Sequence, residues 1–139
     1  MTIPSLDNAI ELPSGVYNVV SELKYTSPAL TWYLWELDDS RGNQTTLGLI
    51  ADQYVTITRE PYQAMPSEPQ IDHQGTSLPL VHQGEAMATL SLPDKHDFWL
   101  AKYRHYASDA IHVIFTRDRH AVSRLVAEPI SPALVRVYE

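Results

Sequence analysis

The sequence contains no cysteine, so neither a disulfide nor a zinc–thiolate site can stabilise it. That absence fits a reducing compartment, and we expect a cytoplasmic location. Basic residues are also few: 10 lysine and arginine residues stand against 17 aspartate and glutamate residues, which gives a formal net charge of −7. Nucleic acids and anionic membranes are bound mainly through clustered lysine and arginine. We therefore expect neither of them as a partner.

Long apolar runs and catalytic motifs are missing as well. No run approaches the ~18 apolar residues of a membrane span, and "MTIPSLDNAIELPSG" lacks the basic-then-apolar order of a secretory signal. We therefore expect no membrane insertion. The five glycines form no phosphate-binding loop, and no serine lies in a Gly-x-Ser-x-Gly elbow. The sequence thus predicts a non-enzymatic protein without a cofactor.

What the sequence does contain is a series of strand patterns. "LTWYLWEL", "QYVTITRE" and "IHVIFT" are rich in β-branched and aromatic residues, and the last two alternate on a two-residue period. We predict one all-β domain over residues 1–139, either an antiparallel β-sandwich or a curved, barrel-like sheet, with little or no helix. The proline-rich stretch at about 61–75 is predicted to be a connecting loop. A short helix within residues 93–105 is the alternative for "DKHDFWLAKYRHY".

Four stretches carry a resemblance along nearly the whole chain: "LPSGVYNVVSELKY", "LTWYLWELDD", "HQGTSLPLVHQGEAMATL" and "KYRHYASDAIHVIFTRDRHAVSRLVAEPISPALVRV". In their order and their landmarks they resemble a bacterial family of domains of unknown function, the one numbered 4178. The resemblance implies no agreed activity or cofactor. It implies a partner-dependent accessory role, related to envelope stress or to polyamine-synthase-like enzymes. Where the family's final hairpin often has a cysteine and an acidic residue, this chain has Ala101 and His105.

The stretch "YRHY" has the highest density of polar and aromatic side chains. On a strand, Tyr103 and His105 lie on one face, whereas Arg104 and Tyr106 lie on the other. The four side chains therefore cannot converge on one ligand, and we favour a structural role for them. A functional pair of Tyr103 and His105 would need a cleft contributed by other strands.

Six histidines are the only route to a metal site. They are His73, His82, His96, His105, His112 and His120. No two have the spacing that places ligands together on one strand face or one helix face. His105 and His112 flank a turn and could face each other if that hairpin pairs symmetrically about Ser108 and Asp109. We expect a cross-strand surface pair rather than a metal site.

The strand "LTWYLWEL" is apolar on both faces, with Trp32 and Leu34 on one and Tyr33 and Trp35 on the other. Such a strand is usually central and covered on both sides. The alternative is that one face packs in the core, while the other lines a ligand cavity or a partner surface.

The leading functional prediction is a non-catalytic cytoplasmic module that binds a protein partner or associates with itself. Its predicted contact surface is the exposed aromatic and polar side chains of two stretches, together with one tryptophan: Trp32, Tyr33, Trp35, Trp99, Tyr103, His105 and Tyr106. The alternative is a β-barrel that binds a small molecule in a cavity lined by Trp32, Trp35, Trp99 and tyrosines. An acidic protein of this kind would favour a cationic ligand.

Overall fold

The computed structural model describes residues 3–139, which form β-strands and one short 3-10 helix. The strands are β1 (Ala9–Leu12), β2 (Gly15–Thr26), β3 (Thr31–Asp38), β4 (Gln44–Ile50), β5 (Gln53–Tyr62), β6 (Gln70–His73), β7 (Thr76–Leu92), β8 (Lys95–Ala107), β9 (His112–Asp118), β10 (Ala121–Pro129) and β11 (Arg136–Tyr138). The 3-10 helix spans Pro132–Leu134. Within residues 3–139, no helix has the length and apolar character needed to cross a membrane.

Eight of the strands close into an antiparallel barrel. Two four-stranded meanders, β2–β3–β4–β5 and β7–β8–β9–β10, are joined where β5 pairs with β10 and where β2 pairs with β7. The predicted all-β, barrel-like sheet is confirmed. The alternative of a helix within residues 93–105 is wrong, because β8 runs through that region with alternate side chains directed to the barrel interior and to the outer surface.

The barrel interior is filled by side chains, as is usual for a small barrel. Trp32 lies at its centre with no exposed surface, stacked on Tyr25 at a ring-centroid distance of 4.6 Å and packed against Tyr103 at 4.8 Å. Small residues pack in the same core on β7 and β8, namely Ala86, Ala88 and Ala101, and Ala88 lies beside Tyr25 in the β2–β7 register. The large and small side chains therefore fill the interior together.

A second core lies outside the barrel wall at β3 and β4. Trp35, Leu37 and Leu47 point outward and are covered by Ile10 of β1 and Tyr17 of β2. The indole of Trp35 donates a hydrogen bond to Glu22 Oε1 at 2.9 Å. The strand that is apolar on both faces is thus covered on both sides, whereas the sequence had left the role of its second face open.

A third core lies beneath residues 63–69, which we call the strap, and the adjoining hairpin of β6 and β7. The predicted loop at 61–75 is irregular only over the strap, because β5 continues to Tyr62 and β6 pairs with β7. Gln74 and Gly75 have φ values of 50° and 82°, the signature of a two-residue hairpin turn that matches the strand twist. The prolines of this region therefore interrupt the strand pairing only over the strap, and a β-hairpin still forms after them.

Candidate functional site

The four side chains of "YRHY" lie on alternating faces, as predicted, and each makes a structural contact. Tyr103 points into the barrel, where its hydroxyl is 2.8 Å from Ser27 Oγ. On the outer face, Arg104 Nη2 and the Tyr106 hydroxyl donate to the carbonyl oxygen of Glu68 in the strap, at 2.7 and 2.8 Å. Arg104 and Tyr106 therefore fix the strap onto β8.

His105 is the middle member of a row of three histidines at one end of the barrel. Its Nδ1 is 3.1 Å from His82 Nδ1, and its Nε2 is 2.9 Å from His112 Nδ1. The row ends where His112 Nε2 lies 3.2 Å from Gln53 Oε1. Neighbouring rings are nearly parallel, at 10° and 20°. The row therefore joins four barrel strands, β7, β8, β9 and β5, through their inward-facing side chains.

Burial favours the neutral form of His105 and His112. Burial, together with smaller contributions from charge repulsion by His112 and His82, lowers the pKa of His105 to about 3. Burial also lowers the pKa of His112. Each neutral imidazole carries one N–H. If His112 Nε2 donates to Gln53 Oε1, then His105 Nε2 must donate to His112 Nδ1, and His82 Nδ1 must donate to His105 Nδ1.

The side chains of His105 and His112 meet, but not through the predicted register: His105 pairs with Ile114 and His112 pairs with Ala107, so the hairpin is not symmetric about Ser108 and Asp109. Their predicted surface location is wrong, since both are buried. His82 and Gln53 were not singled out from the sequence. Only the pairing of β7 with β8 and the closure of the barrel bring them to this end. Within residues 3–139, no group of three or more histidine and acidic side chains is arranged to hold a metal ion. The nitrogens of the row instead pair with one another.

Asp118 organises the polar contacts toward the opposite end of the barrel. Its Oδ1 accepts hydrogen bonds from the Tyr25 hydroxyl at 2.9 Å and from the Trp99 indole at 2.7 Å. Arg59 forms an ion pair with its Oδ2 at 3.8 Å. Burial, reinforced by the charge of Asp118, raises the pKa of Tyr25, so that this hydroxyl remains protonated. The hydrogen bond from the Trp99 indole to Asp118 therefore links β8 to β9.

The prediction that the aromatics of residues 32–35 and the 103–106 stretch form an exposed contact surface is wrong for most of them. Trp32, Trp35, Tyr103, His105 and Tyr106 are all buried, because the alternating strands place them either inside the barrel or under a covering segment. Tyr33 and Trp99 are half-buried.

A single cavity lined by Trp32 and Trp35 is excluded by their positions. Trp32 points into the barrel, whereas Trp35 points out of it. Side chains that alternate along a strand face opposite sides of the sheet, so the barrel wall lies between the two indoles. Of the predicted cavity residues, Trp32 packs in the filled interior.

Among residues 3–139, the two most exposed large apolar side chains, Phe98 and Leu100, lie with Met87 on the outer surface of β7 and β8. Phe98 is 70% exposed, Leu100 is 64% exposed and Met87 is 40% exposed. Met87 lies directly opposite Leu100 in the strand register, and Phe98 is two residues from Leu100 on the same face. We call these three side chains, together with the cations Lys102 and Arg117 that continue the same outer surface, the β7–β8 face.

A groove continues this face toward the strap. It has a volume of about 510 Å³, and its lining includes Met65, Gly84, Glu85, Lys102, Arg104 and Arg117. Gly84 has a φ of 142°, and a Cβ at that position would meet nothing within 4 Å. The groove is therefore open above β7 and bordered by cations of β8 and β9.

The fold and its surfaces define a closed, eight-stranded antiparallel barrel with a packed interior and one exposed apolar and basic face. Comparisons with protein-family models, with curated proteins and with solved structures find no match to this chain. The functional argument therefore depends on the geometry of the chain itself.

Proposed function

We propose that this protein is a non-catalytic interaction module and that the β7–β8 face is the surface that binds its protein partner. The observation that carries the proposal is the exposure of Phe98 and Leu100 side by side on one strand. The partner-binding residues are therefore different from the buried aromatics that the sequence suggested. We also propose a cytoplasmic location, since the chain has no cysteine.

Energetics support this role for the exposed cluster. Burying a phenylalanine or leucine side chain is worth about 1.5–3 kcal/mol, which the isolated chain forgoes at Phe98 and Leu100. Both residues pair with β7, opposite Thr89 and Met87, and this part of β7 pairs in turn with β2. Pairing of β8 with β9 begins at Ala101. A partner would therefore gain apolar contact without having to order a loop first. Contiguous apolar side chains on a rigid surface are typical of protein-binding sites.

A protein partner is favoured over a lipid surface and over a small ligand inside the barrel. The formal net charge of −7 opposes approach to an anionic bilayer. The filled interior around Trp32 favours the interaction module over a ligand-binding barrel. The resemblance to the family of unknown function 4178 adds a compatible expectation, because it implies an accessory protein that acts with partners in envelope stress or near polyamine-synthase-like enzymes.

Site-specific cross-linking in the native cytoplasm tests the proposal. A photo-reactive amino acid replaces Phe98 in one variant and Val16 in the control, since Val16 is also exposed, at 57%, but lies in β2. We expect one defined protein to be cross-linked from position 98 and not from position 16. That protein is then purified and titrated against wild-type chain and the F98S/L100S and V16S variants.

The outcomes of the titration are distinct. Binding that is lost in F98S/L100S and retained in V16S, with all three chains folded to the same melting temperature, supports the proposal. Equal binding by all three chains overturns it. A cross-link from position 98 only to a second copy of the chain would overturn binding to a different protein and would show that the face mediates self-association.

A further inference from the structure

We infer that the β7–β8 face binds an extended acidic segment of its partner, whose apolar side chains cover Phe98 and Leu100 and whose carboxylates face Lys102 and Arg117. This inference depends on the proposed interaction function and specifies the chemistry of the partner. It follows from three features of the face: a pair of like charges in register, a local excess of cations, and the order of side chains along β8.

The pair consists of Lys102 and Arg117, which lie directly opposite each other in the register of β8 and β9. Glu85 of β7 lies opposite Lys102 on its other side, so that Arg117 is the cation without an acidic neighbour in register. Like charges directly opposite across an antiparallel pair destabilise the sheet. Across residues 3–139, the ion pairs within 4 Å involve Arg59, Arg119 and Arg124, and neither of these two cations takes part in one. An anionic group placed between Lys102 and Arg117 would turn this repulsion into attraction.

The cation excess is local to the groove. The whole chain has 17 acidic and 10 basic residues, yet the groove lining contains Lys102, Arg104 and Arg117 against a single acid, Glu85. Arg104 is held in place because its Nη1 donates to Gln83 Oε1 at 2.7 Å while Nη2 donates to the strap. Its charge is therefore fixed beside the groove before a partner arrives. Such an electropositive area on an acidic protein attracts anionic segments and orients their approach.

The order of side chains along β8 gives the partner its shape. Phe98, Leu100, Lys102 and Arg104 follow one another on the outer surface of β8, at every second residue. Their spacing is about 7 Å, twice the rise per residue of a strand. An extended peptide has the same two-residue period, so its apolar residues can meet the first two positions while its acidic residues meet the last two. The partner segment that fits this surface therefore has apolar residues directly before or after glutamate and aspartate residues.

An anionic bilayer offers both apolar and negative groups, but it fits this face less well. Membrane binding by basic residues needs clusters of them at a surface that approaches the bilayer broadly. Here three cations border an open groove that also contains Glu85, and the molecule is acidic overall. So few cations on an acidic molecule suit a narrow acidic segment better than the broad surface of a bilayer.

The test is a selection from a phage library of random linear peptides on the immobilised full chain. We expect the enriched peptides to combine phenylalanine or leucine with an excess of glutamate and aspartate. Synthetic versions are then titrated against wild type, K102E/R117E, F98S/L100S and the control R41E, which reverses an exposed charge in the turn between β3 and β4. We expect at least a tenfold loss of affinity in K102E/R117E, little change in R41E, and weaker binding as salt is raised.

The remaining outcomes separate this inference from the proposed function. The enriched peptides could lack an acidic excess and could bind every chain except F98S/L100S. That result would overturn the inference of an acidic segment, but it would still support the β7–β8 face as an interaction surface. Peptides whose binding is unaffected by any of these variants would overturn both. Binding to phosphatidylcholine vesicles that contain phosphatidylserine, with no enrichment of peptides, would overturn the inference in favour of a lipid surface.

Discussion

Acid should destabilise this protein through the buried histidine row, and the largest single contribution should come from His105. Burial lowers the pKa of His105 from 6.5 to about 3 in the folded chain. The unfolded chain therefore binds the proton more readily, so this contribution is present above pH 6.5 and is lost as the pH falls toward 3. Between about pH 7 and pH 5 the linkage relation gives a loss of about 2 kcal/mol in the free energy of unfolding.

Urea unfolding followed by tryptophan fluorescence measures that loss. Wild type, H105Q and the control H120Q are unfolded at neutral and at mildly acidic pH, and the change in the free energy of unfolding between the two is compared. We expect H105Q to be less stable than wild type at neutral pH, yet to lose about 2 kcal/mol less on acidification. H120Q, altered at an exposed turn residue, should keep the wild-type pH dependence. An identical loss in H105Q and wild type would refute the argument that His105 is buried and neutral.

Three further substitutions test the packing. Trp35→Ala should lower the free energy of unfolding by about 3–5 kcal/mol, and a loss under 1 kcal/mol would contradict the second core. Gly48→Ala should cost about 1–3 kcal/mol, because its Cβ would collide with the Ile57 side chain; unchanged urea stability would contradict that collision. Arg104→Ala should speed proteolytic cleavage within residues 63–69 by removing a strap hydrogen bond, and an unchanged cleavage rate would show that the strap is held otherwise.

The alternation of side chains made much of the fold predictable from the sequence. The two-residue period of "IHVIFT" and the aromatic residues of "LTWYLWEL" correctly indicated strands. Alternation along a strand then placed Tyr103 with His105 and Trp32 with Leu34 on shared faces. Period alone gives the two faces of a strand but not which face is inside. The inward and outward directions became defined only when β2 paired with β7 and closed the barrel.

The candidate site was less predictable, because it depends on pairings between distant residues. His82 joins His105 across 23 positions, and a register shift in β7 next to His82 sets which residue faces the interior. Phe98 and Leu100 look like core residues in the sequence, since they are large and apolar and belong to an apolar run with Trp99 and Ala101. Their exposure follows from the small Ala101 and the large Trp99 facing inward instead, which the hydrophobic pattern of "FWLA" leaves ambiguous.

Native mass spectrometry of the cross-linked partner, purified and mixed with the chain, tests the central claim most directly. The account predicts a complex with wild type and with V16S, and unbound monomer with F98S/L100S at the same concentrations. Equal amounts of complex for all three chains would contradict the assignment of the β7–β8 face as the partner-binding surface.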